Sequence, residues 1–373
     1  MTASPSATIL PASHPSQAGT AAGGSRRLQP VADASTWDAA TYRHSDAWIR
    51  TLTGKQIDEI DRAIGQLSSA GLTLATVRPH DLRIPGLEEF LAEFLAEDVI
   101  KRGFGMIRGF PVDRYSEAES GMFFWALGSH MGKAVSQNAN GDRLGSVRNQ
   151  GLDYDTLNVR GYQTRAHLPF HCDPSDVVGL LCINKAKRGG LSSVVSGTSM
   201  YNRVLAERPQ YLDLLYRGFR YDRRGEEAPY QESISGYVPV FSRCGGDLSI
   251  RYVRKSMETA QQKLGVPFTA DELEVLDYME ELSRSPDLVY SMMMEPGDMQ
   301  FCNNYTVLHS RTDYEEQDDP ARKRHMMRLW LKVPGIRKLA PDFIEYDEAS
   351  GWSRREGIPA RGAPMPKDAL ADA

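Results

Sequence analysis

The residues best suited to metal chemistry lie in the segment His167-Leu-Pro-Phe-His171-Cys172-Asp173-Pro174. In an extended strand alternate side chains face the same way, so His171 and Asp173 would project together and Cys172 would turn to the other side. One imidazole and one carboxylate supply two ligands of a 2-His-1-carboxylate facial triad, and His309 is the candidate for the third ligand. So short a motif is also compatible with a surface ion pair, and that alternative stays open at this point.

The segment Arg324-His-Met-Met-Arg328 begins fifteen residues after His309 and carries two arginines four residues apart. Strand alternation sends both guanidinium groups to one face of an otherwise apolar segment. Both would need anionic partners, because a buried unpaired charge is very costly. Structural carboxylates would serve, and so would a dianionic cosubstrate together with an acidic substrate, since the guanidinium fork binds a carboxylate through two hydrogen bonds.

Taken together, these residues resemble the pattern of the Fe(II)/2-oxoglutarate dioxygenases, and more closely that of the taurine dioxygenase (TauD/TfdA) / clavaminate synthase-like superfamily. The segment Gly189-Gly190-Leu191-Ser192 is a further match, because it is similar to the Gly-Gly-x-(Ser/Thr) strand of that family. The resemblance covers roughly residues 104 to 333. It implies an α+β fold with a distorted double-stranded β-helix, or jelly-roll, core and with N-terminal and inserted helices.

The resemblance also implies a role for each matching residue. The two histidines and Asp173 would hold the iron. Arg324, with Ser192, would bind the distal carboxylate of 2-oxoglutarate, and Arg328 would contact the primary substrate, although either arginine could be the main clamp for 2-oxoglutarate. Fe(II), 2-oxoglutarate and O2 would be the cofactors of an oxygenase that releases succinate and CO2. Its substrate would be a small, carboxylate-bearing molecule that is hydroxylated, desaturated or cyclised, and Asp173 argues against halogenation because the related halogenases lack this carboxylate.

Two other functions are compatible with the same ligands. A non-catalytic relative of the fold could sense a metal or a small molecule, and the loss of one ligand would favour that function. A hydrolase could use the three ligands to hold zinc and activate water, but it would leave Arg324 and Arg328 without a shared anionic partner. The complete ligand set and the two arginines therefore favour the oxygenase.

The elements that position these residues can be predicted from hydrophobic periodicity. Helical spacing predicts helices over 45–70, 87–100 and 117–131, and Thr269 with Glu272 forms a capping box that begins a helix over 270–283. Short apolar runs separated by Gly, Asn, Asp and Pro dominate between 144 and 333, and they predict a sandwich or barrel of short strands. The charged run 220–227 predicts a solvated loop, and such an insert can also lie over the mouth of an active site in this fold.

Composition sets the expected domain bounds. Residues 1–35 are rich in Ala, Ser, Pro, Gly and Thr, so they predict a disordered tail. Residues 36–350 show no linker and no internal repeat, and they predict a single oxygenase domain with its jelly-roll core at about 104–333. Residues 351–373 mix charges with Pro and Ala and predict a second tail.

Charge and cysteine usage limit the partners. The chain carries 44 basic and 49 acidic residues, a net charge of −5, which argues against a dedicated nucleic-acid binder. No apolar run approaches the length of a membrane span, and the first thirty residues do not resemble a secretory signal. The four cysteines form no CxxC pair. We therefore expect a reduced, cytoplasmic protein with a small-molecule substrate and without nucleic-acid or membrane partners. The amphipathic early helices allow a homodimer contact, and the sequence leaves the oligomeric state open.

Overall fold

The structure is a computed structural model that describes residues 29–154, 156, 159–227, 231–348 and 351–361. A π-helical segment, Phe94–Arg102, directly continues the third α-helix. In the described part of the chain, none of the helices combines the length and the apolar character that a membrane span requires. The α-helices are α1 (Ala39–Arg43), α2 (Gly54–Ser69), α3 (Pro85–Glu93), α4 (Glu117–Ser129), α5 (Gly197–Glu207), α6 (Leu212–Arg217), α7 (Arg254–Leu264) and α8 (Ala270–Ser283).

The larger of two main sheets has the strand order β1-β2-β12-β6-β15-β3, and β4 also pairs with β15. The β1–β2 pair is parallel and the other pairs are antiparallel. The strands of this sheet are β1 (Ile49–Thr51), β2 (Phe104–Arg108), β3 (Lys133–Ala134), β4 (Leu144–Val147), β6 (Val177–Asn184), β12 (Met299–Asn303) and β15 (His325–Lys332).

The smaller main sheet is antiparallel, with the order β11-β8-β13-β5. Its register places His309 directly opposite His171, so two strands distant in sequence bring the two predicted histidine ligands side by side. Its strands are β5 (Leu168–His171), β8 (Ser192–Ser196), β11 (Tyr290–Met292) and β13 (Val307–Arg311), and two ribbons pair β7 (Arg188–Gly189) with β14 (Tyr314–Glu315) and β9 (Phe241–Cys244) with β10 (Asp247–Ile250).

Strand alternation separates the buried side chains into layers. On β15, Leu329 and Leu331 belong to the cluster that includes the apolar faces of α2, α3 and α4, whereas Trp330 belongs to a cluster that joins the two sheets. On β13, Val307 belongs to the cluster between the sheets, and Leu308 packs with residues of α5 to α8. The chain therefore forms helix, sheet, sheet and helix layers, which confirms the predicted α+β class.

Most of the predicted helices are present, and one begins later than expected. Helix α8 spans the predicted residues, and its capping box is formed, because the backbone N–H of Glu272 donates to Thr269 Oγ1 at 3.2 Å. The prediction of helix over 45–70 is wrong at its beginning. Residues Ile49–Thr51 form β1 instead and pair with β2, and the helix begins only after Thr53. Pairing at a sheet edge outweighs a helical apolar spacing that is too short to decide the local structure.

The prediction of disorder up to residue 35 is wrong for residues 29–35. The side chain of Ser35 is buried, and its carbonyl accepts a hydrogen bond from Ser196 Oγ at 2.6 Å. The backbone N–H of Val31 donates to Asn202 Oδ1 at 2.8 Å. These polar contacts with the beginning of α5 hold a segment whose composition offers little to bury. Residues 1–28 lie outside the described residues.

The predicted C-terminal tail is wrong in the same way for residues 351–361. Arg355 donates from Nε and Nη2 to the two carboxylate oxygens of Asp176, at 2.8 and 2.6 Å. The backbone N–H of Ile358 donates to Ser136 O at 2.9 Å. Both partners lie far away in the chain, so the composition of the segment alone carries no sign of them. Residues 362–373 lie outside the described residues.

Candidate active site

Three side chains that could hold a metal meet where β5 and β13 lie side by side. One ligand atom from each of His171, Asp173 and His309 lies within 4.8 Å of the other two. His171 Nε2 is 3.8 Å from Asp173 Oδ1, and His309 Nε2 is 3.6 Å from Asp173 Oδ2. The centroids of the two imidazole rings are 4.3 Å apart. The structure thus brings the three predicted ligands together, with two imidazole nitrogens facing one carboxylate.

Hydrogen bonds fix the orientation of this set. His171 Nδ1 lies 2.8 Å from the carbonyl oxygen of Pro169, a contact that places the proton on Nδ1 and leaves the lone pair of Nε2 free for a metal. The indole N–H of Trp330 donates to Asp173 Oδ2 at 3.0 Å. The backbone N–H of Asp173 donates to Asn304 Oδ1 at 2.9 Å. Asn304 therefore shapes the turn that carries the Asp173 carboxylate.

The protonation states suit a divalent cation. Burial, reinforced by the neighbouring His309, lowers the pKa of His171 to about 3, so this imidazole is neutral at physiological pH. Burial alone would raise the pKa of Asp173, but the Arg328 guanidinium and the two histidines hold it below its usual range. A carboxylate with two imidazoles is the donor set of non-haem Fe(II) oxygenases, so the residues present fit ferrous iron.

Two cavities meet at these ligands. The smaller, of about 50 Å³, lies between the sheets and is lined by residues of β6, β8, β13 and β15. The larger, of about 450 Å³, is lined mainly by residues from connecting segments. His171, Asp173 and Arg328 line both cavities. The candidate metal site is therefore the junction between two compartments.

Arg324 and Ser192 line the smaller cavity and not the larger. Arg324 is 5% exposed, and its Nε and Nη1 atoms have no hydrogen-bond partner among the described residues. Its guanidinium lies 5.1 Å from the centroid of the Tyr314 ring. The Ser192 hydroxyl donates to Gln300 Oε1 at 2.7 Å, so its single proton is used within the protein. Arg324 consequently offers this compartment an unpaired charge, whereas Ser192 would have to redirect its proton to bind an anion.

The Gly189-Gly190 pair allows the chain to pass close to Arg324. Both glycines have positive φ angles, 67° and 71°. A Cβ atom at Gly189 would lie 2.2 Å from the carbonyl oxygen of Asp313, and one at Gly190 would lie 3.3 Å from Arg324 Nε. Only glycine fits the first position without moving backbone. The motif that predicts an oxoglutarate strand therefore has a steric reason in this structure.

Arg328 stands between the two compartments. Its guanidinium lies 4.7 Å from the ring centroids of both Tyr162 and Trp330, and its Nε donates to Gln137 Oε1 at 2.7 Å. Gln137 in turn donates to the carbonyl oxygen of Arg328 at 2.6 Å. These contacts hold the fork in one orientation, and in the described part of the chain no carboxylate forms an ion pair with it.

Three residues near the site escape prediction from the sequence. Arg311 lines the smaller cavity, and its Nη1 atom is buried without a partner among the described residues. It lies on β13 two residues after His309, so strand alternation could have indicated that it shares a face with that ligand. Gln137 and Trp330 orient Arg328 and Asp173, and no spacing rule connects them to the ligands.

The paired sheets, the three-ligand set and the two compartments define a non-haem iron oxygenase of the jelly-roll type. The family model described as "Taurine catabolism dioxygenase TauD, TfdA family" matches residues 68–330 of the chain. This chain belongs to the TauD/TfdA family, as its motifs predict.

Curated relatives support the same assignment. The chain is 34% identical over 322 residues to FR-33289 synthase of Streptomyces rubellomurinus, a match that covers 83% of this chain and 93% of the relative. It is 25% identical over 340 residues to the taurine hydroxylase-like protein SAT17 of Stachybotrys chartarum, with coverages of 84% and 85%.

Solved structures share the fold. Asparagine oxygenase in complex with Fe(II), 3-hydroxyasparagine and succinate matches with a TM-score of 0.60 and 17% identity, over 76% of this chain and 93% of that chain. The non-heme iron oxygenase OrfP in complex with Fe and alpha-ketoglutaric acid matches with a TM-score of 0.57 and 15% identity, over 76% of this chain and 94% of OrfP. These similarities confirm the predicted double-stranded β-helix.

The family assignment decides among the functions that the sequence leaves open. The chain is an Fe(II)- and 2-oxoglutarate-dependent dioxygenase, an oxidoreductase that uses O2. The metal sensor and the zinc hydrolase, which the ligands alone would allow, are not supported. The predicted cofactors Fe(II), 2-oxoglutarate and O2 are confirmed.

Proposed function

We propose that this dioxygenase oxidises a small molecule that carries an acidic group, by hydroxylation, desaturation or ring closure, while 2-oxoglutarate is converted to succinate and CO2. Arg324 binds the distal carboxylate of 2-oxoglutarate, with Ser192 beside it, and Arg328 binds the acidic group of the substrate. Halogenation is excluded from the proposal because Asp173 fills the place that a halide would need.

One observation carries this division of roles: Arg324 lines only the smaller cavity, whereas Arg328 also lines the larger one. A compartment of about 50 Å³ with an unpaired, buried arginine suits a slim dicarboxylate. A compartment of about 450 Å³ has room for a second molecule beside the ligands. Solved neighbours are bound to 3-hydroxyasparagine and to hydroxylated arginine, both small molecules with a carboxylate, which supports the proposal.

The residues of the chain prepare the site for the oxidation. His171, His309 and Asp173 would hold iron, which supplies the oxidising chemistry when it is bound together with 2-oxoglutarate. The carbonyl of Pro169 keeps the proton of His171 on Nδ1, and Trp330 directs one Asp173 oxygen. Arg328 would fix the acidic end of the substrate so that a neighbouring carbon faces the iron, since orientation is a large part of what such a site contributes.

A substrate panel tests the proposal. Succinate formation is measured for small amino acids and other carboxylic acids, each paired with its neutral amide. We expect stimulation by acids and not by their amides. In Arg328→Ala, KM for the stimulating acid should rise about 30-fold, because a hydrogen bond to a charged group contributes about 2 kcal/mol, whereas Arg328→Lys should restore part of the loss. Equal turnover of acids and amides, or a change confined to KM for 2-oxoglutarate, would overturn the assignment of Arg328.

A further inference from the structure

The larger cavity is far more basic than the protein as a whole. Among the described residues, nine Arg and Lys side chains and six Asp and Glu side chains line it, although the chain carries a net charge of −5. Several of these arginines are paired, for example Arg254 with Glu258 at 2.8 Å. Within the described residues, Arg224, Lys255, Arg328 and Arg354 have no carboxylate within ion-pair distance. A half-buried cation without a partner is unfavourable, so the cavity is suited to an anionic ligand.

Arg224 combines this lack of a partner with a strained backbone. Its φ angle is 59°, in the left-handed region that favours glycine, and Gly225 follows with a φ of 74°. The conformation is held by Asp222, whose Oδ1 accepts the backbone N–H of Arg224 at 2.9 Å and an ammonium hydrogen of Lys263 at 2.8 Å. A residue other than Gly or Asn in the left-handed conformation strains the backbone by about 1 kcal/mol or more. Such strain is concentrated at functional sites.

Arg160 lines the same cavity as Arg224 and Arg328. Its side chain is 16% exposed and forms an ion pair with Glu226. Tyr162, two residues further along the chain, packs against Arg328. Burial, with the charges of Arg224 and Arg328 nearby, lowers the pKa of Arg160 to about 9. Three guanidinium groups therefore lie in the wall of one cavity, and one carboxylate, Glu226, offsets only part of their charge.

We propose that Arg160 and Arg224 form a second oxyanion subsite, separate from Arg328, which binds a second acidic group of the substrate. This inference rests on the proposed function and narrows the substrate class to small molecules with two acidic groups. The acidic group at this subsite has two or more anionic oxygens on one centre, as in a phosphate-type group, a sulfonate or a carboxylate, because these match the guanidinium fork.

Anion binding to the holoprotein tests the subsite without requiring the substrate. The full chain is loaded with Fe(II) and 2-oxoglutarate without oxygen, and inorganic phosphate, sulfate and acetate are titrated separately by calorimetry. We expect at least one oxyanion to bind the unaltered protein and its affinity to fall about tenfold or more in Arg224→Gln. Arg284→Gln is the matched control, because Arg284 also lines the cavity but is paired with Glu280 and is 59% exposed. The affinity of the Arg284→Gln variant for the oxyanion should equal that of the unaltered protein.

Two further variants separate binding from folding. Arg224→Gly should unfold at the same or a higher temperature, because glycine relieves the positive φ, and it should still lose anion binding. The double variant Arg160→Gln/Glu226→Gln removes the ion pair without leaving a buried charge. Its affinity for the oxyanion should also fall. Preference for phosphate over acetate supports a phosphate-type group in the substrate, and the opposite preference supports a carboxylate.

Two results would overturn the subsite: no oxyanion binding to the unaltered protein, or unchanged affinity in both Arg224 variants. The visible absorption band of 2-oxoglutarate chelated to ferrous iron is recorded in the same samples. Formation of the band without anion binding overturns only the subsite. Anion binding without the band overturns the proposed function and leaves the subsite standing.

Discussion

The two compartments that meet at the candidate metal ligands are built differently. The smaller is lined by side chains from strands of both sheets, and Arg324, which is 5% exposed, has two guanidinium nitrogens without a hydrogen-bond partner among the described residues. The larger is lined by side chains from the segments around 160, 222, 254 and 354, and most of its arginines form ion pairs. Strands hold the side chains of a site in fixed positions, whereas connecting segments can change in sequence and length without disturbing the sheets. The roles proposed for Arg324 and Arg328 would place the binding of 2-oxoglutarate on the rigid part of the fold and the choice of substrate on the adaptable part.

The largest expected effect concerns the ligands that both compartments share. Asp173→Ala should lower the affinity for Fe(II) by more than about 100-fold, because it leaves only two imidazoles as ligands. Cys172→Ala is the control, since Cys172 is buried among the helices behind the smaller sheet, and it should bind iron as the unaltered chain does. Iron binding is measured by anaerobic calorimetry at pH 7. Similar affinities in both variants would remove Asp173 from the metal site.

An intermediate effect should separate the two compartments. Arg324→Ala should raise KM for 2-oxoglutarate about 10- to 100-fold and change KM for the primary substrate by less than about threefold, because Arg324 lines only the smaller cavity. Steady-state succinate formation measures both constants, and Arg328→Ala is the reciprocal variant. If Arg328→Ala instead raises KM for 2-oxoglutarate and Arg324→Ala does not, the two arginines exchange roles.

A smaller effect on iron binding is expected from the contact between residues 351–361 and the turn that follows Asp173. Asp176 is fully buried, three residues after Asp173, and it accepts hydrogen bonds from Arg355 and from the hydroxyl of Tyr305 at 2.6 Å. Arg355→Met should lower the free energy of unfolding by about 3 kcal/mol, because it leaves a buried carboxylate without its cation.

Iron affinity in Arg355→Met should fall only a few-fold, since the ligands themselves stay in place. The measurements are urea unfolding and anaerobic iron titration, with Lys332→Met as the control for a more exposed ion pair, in which Lys332 contacts Glu356. Equal stability losses in the two variants would show that the Arg355 contact is no more than a surface pair.

The sequence predicts the smaller compartment better than the larger one for a physical reason. His171 and Asp173 share one face of one strand, so a period of two places them together, and the resemblance supplies His309 and Arg324. Contacts such as Arg355 with Asp176, 179 residues apart, depend on how distant segments pack, and no local pattern encodes them. For the same reason the sequence does not predict the packing of residues 29–35 and 351–361 or the basic wall of the larger cavity.

Local signals also differ in strength between elements of the fold. The capping box Thr269–Glu272 identifies the beginning of α8 because two side chains satisfy backbone N–H groups within four residues. At Ile49–Thr51 the apolar spacing suits a helix, but pairing with β2 forms a strand, and this partner is more than fifty residues away. Elements whose stability is local can be predicted, and elements that exist only through a distant partner cannot.

The most direct test of the central claim is an anaerobic titration of the metal-free protein with Fe(II) and then with 2-oxoglutarate, followed by visible absorption. We expect a weak charge-transfer band when 2-oxoglutarate chelates ferrous iron held by His171, Asp173 and His309, and a shift of that band when a substrate enters the larger cavity. Iron binding with no band at saturating 2-oxoglutarate would show that these three residues do not form a site for Fe(II) and 2-oxoglutarate together.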